Sequence, residues 1–144
     1  MADVAAPIDI DRLILIVTGA HLHAEATDRP VAYRLSRAIA EHLGSRGRAL
    51  VCSDLWYLNH EPLRACPTVS IGGPGVNALS AFLADKLPSA FVVEGRVLVQ
   101  AEPAFEEPVA CCWGSDEAGT AAAVDAFIDR YLEDFLAAAA GGWE

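Results

Sequence analysis

The feature that most constrains the fold is the run Arg12-Leu-Ile-Leu-Ile-Val-Thr-Gly-Ala20. Successive residues of a strand point to opposite sides, and this run has no polar side to offer solvent. A half-exposed antiparallel strand alternates apolar and polar residues. A strand inside a parallel sheet, covered by helices on both faces, reads as a continuous apolar stretch. The run therefore predicts a buried parallel strand ending at Thr18-Gly19. It is far too short to cross a bilayer, which needs about 20 apolar residues.

Helical and strand patterns alternate along the rest of the chain. His21–Asp28 reads as a polar loop, with Asp28 capping a helix that has Pro30 in its first turn. Val31, Leu35, Ala38, Ile39 and Leu43 carry that helix and Gly44 closes it. Ala49–Cys52 predicts a second strand and Leu55–Ala65 at most a short helix. Thr68–Ile71 predicts a third strand running into Gly72-Gly-Pro-Gly75. Val76, Leu79, Phe82, Leu83 and Leu87 mark a helix stopped by Pro88. Phe91–Gln100 reads as a hairpin turning at Glu94-Gly95, and Val109–Trp113 as a last strand. Ser115 then caps a long helix with Val124, Phe127, Ile128, Tyr131, Leu132, Phe135 and Leu136 on one face. This order predicts an α/β fold: a Rossmann-like three-layer sandwich, its sheet mostly parallel with an antiparallel hairpin edge. The chain has 144 residues and shows no repeat or linker. Residues 1–144 are accordingly read as a single α/β domain, with 1–11 a loose lead-in.

Charge narrows the partners. Ten Lys and Arg stand against 20 Asp and Glu, a formal charge of −10, which repels phosphate backbones and anionic membrane surfaces. No nucleic-acid or membrane partner is expected. Acids early in the chain, with no continuous apolar segment, point to a cytoplasmic protein. The 53% hydrophobic content excludes disorder. It also leaves an apolar surplus for self-association, most simply as a homodimer through the hairpin edge or the last helix. Cys52, Cys66, Cys111 and Cys112 lack C-x-x-C spacing and read as small buried hydrophobes.

In open parallel sheets ligands bind beyond the carboxyl ends of the strands, and polar residues follow four strands here. The strongest signal is Ile71-Gly-Gly-Pro-Gly-Val-Asn77. Glycines let a ligand approach the backbone, and the helix that follows aims free N–H groups at it. Gly72, Gly73, Gly75 and Asn77 are thus candidate binding residues for an anionic or polar small molecule, joined by Gly114 and Ser115 after the last strand. Asp54, His21 and Asp116 are candidates to orient the ligand or move a proton. No G-x-G-x-x-G follows the first strand, so the dinucleotide fingerprint is absent and no cofactor is assigned. His21 and His23 form an H-x-H pair that could ligate a metal from an extended loop, with Asp54 or Asp116 as a carboxylate partner.

The segments Ile71-Gly-Gly-Pro-Gly-Val-Asn77 and Gly114-Ser-Asp-Glu-Ala-Gly-Thr-Ala-Ala-Ala-Val124 resemble the G-G-P-x-x-N and G-x-D-x-x-x-T-x-x-A-V segments of archaeal S-layer-type domains. That resemblance implies a structural or assembly role. Three functions follow in order: a small-ligand-binding α/β protein, a noncatalytic self-associating domain, and a metal-dependent hydrolase using His21 and His23.

Overall fold

The constraining run is strand β1, Leu13–Thr18, and all six of its residues are buried. The computed structural model describes residues 10–141 and Trp143; residues 1–9 of the expected lead-in lie outside them. The other strands are β2 Arg48–Ser53, β3 Thr68–Ile71, β4 Ser89–Val93, β5 Val97–Ala101 and β6 Val109–Gly114. They form one six-stranded sheet in the order β2-β1-β3-β6-β5-β4. The first four of that order are parallel neighbours, and the hairpin β4–β5 adds an antiparallel edge. The helices are α1 Leu22–Leu43, α2 Asp54–Leu58, α3 Ala78–Leu83, α4 Glu117–Arg130 and α5 Leu132–Ala140.

Alternation along the strands divides the core in two. Ile14, Ile16, Val69, Ile71, Val99, Ala110 and Cys112 pack with residues of α1, α4 and α5. Leu13, Leu15, Val17 and Cys111 pack instead with Tyr57, Leu63, Leu79 and Leu83. The first cluster gathers helices of 22, 14 and 9 residues. The second has only the 5 residues of α2, the 6 of α3 and a short turn. This inequality leaves the second cluster thinly covered.

Helix boundaries differ from the expectation in α1, α3 and the last helix. The first helix begins at Leu22, and Asp28 and Pro30 lie inside it. An interior proline costs about 3 kcal/mol, but the buried stripe Ala24, Asp28, Ala32, Leu35, Ile39 and Leu43 runs straight through the position. Burial of that stripe outweighs the local stop signal. Helix α3 ends at Leu83, followed by a turn in which the Leu87 amide still donates to the Leu83 carbonyl at 3.1 Å. Pro88 has no N–H to offer the Ala84 carbonyl, and the Gln100 side chain donates to the Ala84 and Leu87 carbonyls instead, both at 3.0 Å. The last helix is broken at Tyr131, whose φ of −128° is not helical. The hairpin turns where expected, with Gly95 at φ 74°.

All four cysteines are buried and free, with Cys111 and Cys112 on opposite faces. Burial pushes the Cys52 thiol up to about 12, against a smaller opposing pull from Arg29. Burial likewise pushes Cys111 up to about 11. Both stay protonated at neutral pH and serve packing, not nucleophilic chemistry. Among the described residues no helix is long and apolar enough to cross a membrane.

Candidate functional site

Four parallel neighbours bring the loops after β1, β2, β3 and β6 to one edge of the sheet. The chain leaves β1 for β2 on one side and then returns to β3 on the other, so the topological switch lies between β1 and β3. The loops there touch directly. A Cβ at Gly19 would overlap the Val76 carbonyl oxygen, and one at Gly73 would sit 3.2 Å from the Trp113 ring. Gly72 has φ +108°, and a Cβ there would lie 2.7 Å from Asp28 Oδ2. These contacts bring the β1–α1 loop, the β3–α3 turn, the end of β6 and Asp28 of α1 together.

Much of the expected ligand machinery is nevertheless occupied by the protein itself. At the start of α3, the Ala78 amide donates to Asp54 Oδ2 at 2.7 Å, and the Leu79 and Ser80 amides donate to Asn77 Oδ1. These are the N–H groups an anion would have used. Asn77 further donates its side-chain amide to the Val17 and Ile71 carbonyls, which uses every donor and acceptor it has. Asp54 Oδ1 accepts from the Leu55 amide. Asn77 and Asp54 thus act as latches between strand ends and helix starts, which corrects the binding and proton-moving roles expected of them.

The second expected cradle is also closed. Asp116, not Ser115, caps α4, accepting from the Gly119 amide at 2.8 Å. A Cβ at Gly114 would overlap the backbone of Gly119, so this glycine permits strand, helix and hairpin to meet. The exposed Ser115 donates its amide to the Arg96 carbonyl. Gly75 faces open space.

The H-x-H geometry is changed by the early start of α1. His21 is its N-cap and His23 lies in its first turn. Helical residues two apart do not face each other, so the pair cannot act as the extended-loop chelate that was expected. Among the described residues no three His, Cys, Asp or Glu side chains stand together as a metal would require.

Two residues that the sequence places at a strand end and at a helix cap, Thr18 and Asp28, stand out on the side of the rim that faces α1. Asp28 is 4% exposed. Its one hydrogen bond among the described residues is a long one from Thr27 Oγ1, at 3.3 Å. Burial holds its carboxyl above the usual carboxylate value and Glu117 adds to this, while the Thr27 bond and the charges of His23 and His21 pull the other way. Thr18 ends β1 on the same side as Ile14 and Ile16, and it is wholly buried. Among the described residues its Oγ1 has no hydrogen-bond partner. A buried polar group without a partner costs about 1–3 kcal/mol, and buried hydroxyls are normally satisfied. Arg34 Nε is also unpartnered, but its guanidinium already pairs with Asp125 and the Ala121 carbonyl. No protein-family model matches this chain. No curated protein matches it either.

Chemically, the rim offers an orphan hydroxyl and a carboxyl that burial raises above its ordinary value, beside two imidazoles. It also offers the N-terminus of α1, which has no side-chain cap. The signal for Asp28 was present in the sequence. Ala24, Asp28, Ala32 and Leu35 share one helical stripe, and the carboxylate is the odd member of it.

Proposed function

We propose that this chain binds a small anionic or polar molecule at the carboxyl edge of its sheet, against Thr18, the Gly72 turn and the start of α1. The observation that carries the reading is the wholly buried, unpartnered hydroxyl of Thr18, on the side of the sheet that also holds Asp28. In this reading the fold is a Rossmann-like three-layer sandwich and the ligand sits at its switch point. Asp28 takes the proton-carrying role first expected of Asp54, Asp116 or His21. Burial raises the Asp28 carboxyl, so its protonated form, which tolerates an anion beside it, is reached at a higher pH than for an ordinary carboxyl, and a ligand oxygen would supply the partner that Thr18 lacks.

The test is a thermal-shift and calorimetric screen of phosphates, nucleotides and small carboxylates. A saturating ligand at a hundredfold over Kd raises stability by about 2.7 kcal/mol. Thr18→Val should abolish that shift while leaving the free protein as stable or more so. Binding should tighten as pH falls through Asp28's raised value, and Asp28→Asn should remove that part of the pH dependence. A screen without any saturable shift, or a Thr18→Val variant that binds unchanged, rejects the site.

Asp28 also makes a prediction for the free protein. Its folded-state value lies above the ordinary 3.8, so the folded chain holds this proton more tightly than the unfolded one. The associated stability is fully present below 3.8 and is lost as pH rises through the folded value. Asp28→Asn should therefore stabilise at neutral pH, by the roughly 0.5–2 kcal/mol common when a functional-site cost is relieved. The gain should shrink towards nothing near pH 3.8. Thermal unfolding of both proteins across that range measures it, and a variant less stable than wild type at neutral pH would contradict the account.

A second reading, the self-associating domain suggested by the S-layer-type resemblance, has one observation in its favour. The outer strand β4 exposes Val92 and Val93 at 55% and 41%, and an unpaired apolar edge invites another strand. The last helix gives no such support, because Leu132, Phe135, Leu136 and Ala139 are buried in the protein's own core. Light scattering that returns a monomer at roughly millimolar concentration, where even weak association populates a dimer, removes this reading.

A further inference from the structure

The thin cover of the second core cluster has a consequence at the opposite end of the sheet. Between α2, the turn after it, α3 and the first residues of β3 and β6 lies a cavity of about 420 Å³. At roughly 30 Å³ per water it has room for about fourteen waters, within the range of small-molecule sites. Leu58, Leu79, Leu83 and Leu87 make its walls apolar, and Phe82 stands at its mouth, 57% exposed.

The polar groups of the lining are specific. Thr68 Oγ1 donates its single proton to the Cys66 carbonyl at 2.8 Å. The 3.1 Å contact between Tyr57 Oη and Thr68 Oγ1 must then be donated by Tyr57. Burial pushes the Tyr57 phenol above its usual value, so this proton stays in place. The lone pairs of Tyr57 Oη remain to accept a hydrogen bond from a ligand. Two cations and two carboxylates complete the lining, Arg64 and Lys86 with Glu102 and Glu107. Arg64 donates to the Leu58 carbonyl, and Lys86 Nζ lies 4.2 Å above the Phe82 ring. None of the four forms an ion pair among the described residues.

An apolar chamber with an acceptor in its wall and unpaired charges of both signs fits a molecule with complementary parts. Such a molecule has a ring with a donor, a carboxylate for Arg64 and Lys86, and an ammonium for Glu102 and Glu107. We propose that this cavity is a second site, independent of the Asp28 rim, for a zwitterionic aromatic amino acid whose ring carries a hydrogen-bond donor.

Calorimetry and saturation-transfer NMR on the full chain test this with L-tyrosine, L-phenylalanine, N-acetyl-L-tyrosine and L-tyrosine amide. L-Tyrosine should bind saturably, with a Kd of roughly 1 mM or tighter. It should bind about tenfold more tightly than L-phenylalanine, the worth of one hydrogen bond. Tyr57→Phe should erase that preference while sparing phenylalanine. Lys86→Gln, a change at an exposed side chain, should weaken L-tyrosine about tenfold and leave the amide unaffected. Both blocked analogues should bind more weakly than the parent. The proposal is overturned by any of three results: no saturable tyrosine binding, a tyrosine preference that survives in folded Tyr57→Phe, or blocked analogues that bind as well as tyrosine. Should Tyr57→Phe fail to fold, Lys86→Gln decides the matter, since unchanged tyrosine affinity there overturns the proposal as well.

Discussion

Asn77→Asp is expected to cost about 4 kcal/mol at neutral pH and to lower the melting temperature by about 15 °C. Asn77 is 1% exposed. Its side-chain amide donates to the Val17 carbonyl at 3.0 Å and the Ile71 carbonyl at 2.8 Å, tying the ends of β1 and β3 together. Aspartate keeps the cap on Leu79 and Ser80, which accepts, but turns a carboxylate oxygen towards two carbonyls. Both carbonyls lose their side-chain donor, and the charge meets like-signed partial charges in a dry place. Protonation restores one donor, so part of the loss should return as pH falls towards the carboxylate range. Asn77→Ala removes the donors and the cap together without adding charge. It should cost about 3 kcal/mol with no comparable pH dependence. Urea unfolding followed by circular dichroism at pH 7 and at about pH 4 separates the two variants. An Asp variant within about 1 kcal/mol of wild type would mean that the latch does not hold the strand ends.

Asn77 also marks how far the sequence could be read. As a residue placed just before a helix it could be recognised as a cap, because capping is local chemistry. Its bond to the Val17 carbonyl, 60 residues away, leaves no local trace. The same holds for Asp54, whose Oδ2 serves the first amide of a helix 24 residues further on. Local patterns thus found the starts of α2 and α3 and overstated their freedom to bind anions. β1 was legible because its buried length admits one kind of strand, and the hairpin because Gly95 supplies the left-handed turn. The start of α1 was not legible. Asp28 and Pro30 are strong local signals for a helix beginning, and only the packing of Ala24 and Asp28 against the sheet shows that its cap is His21, seven residues before Asp28. That error hid the residue most relevant to the candidate site. The cavity beside Tyr57 escaped notice for a different reason. It lies beside the end of α3, where the carbonyls of Ala84 and Leu87 are met by Gln100, a residue of β5 that is 16 and 13 positions away.

Gly19→Ala is the second large effect, an expected loss of about 3 kcal/mol and about 10 °C in melting temperature. The added Cβ would overlap the Val76 carbonyl oxygen and meet the Ala24 Cβ at 3.0 Å. Neither neighbour is the free end of a flexible side chain. Val76 lies in the turn closed by the bond from the Asn77 amide to the Gly73 carbonyl at 3.0 Å, and Ala24 is on the buried stripe of α1. Relief would have to separate the β1–α1 loop from the β3–α3 turn, which opens the switch point itself. Gly75→Ala, in the same turn but with open space around it, is the matched control and should stay within about 0.5 kcal/mol of wild type. Thermal unfolding of the pair gives the comparison, and equal stabilities would show that the two loops do not touch as described. The contact also bears on the proposed ligand. With Gly19 and Val76 in backbone contact, the crevice between β1 and β3 is closed from that direction. A molecule reaching Thr18 must then come past His21 and the uncapped start of α1, where Asp28 would receive it.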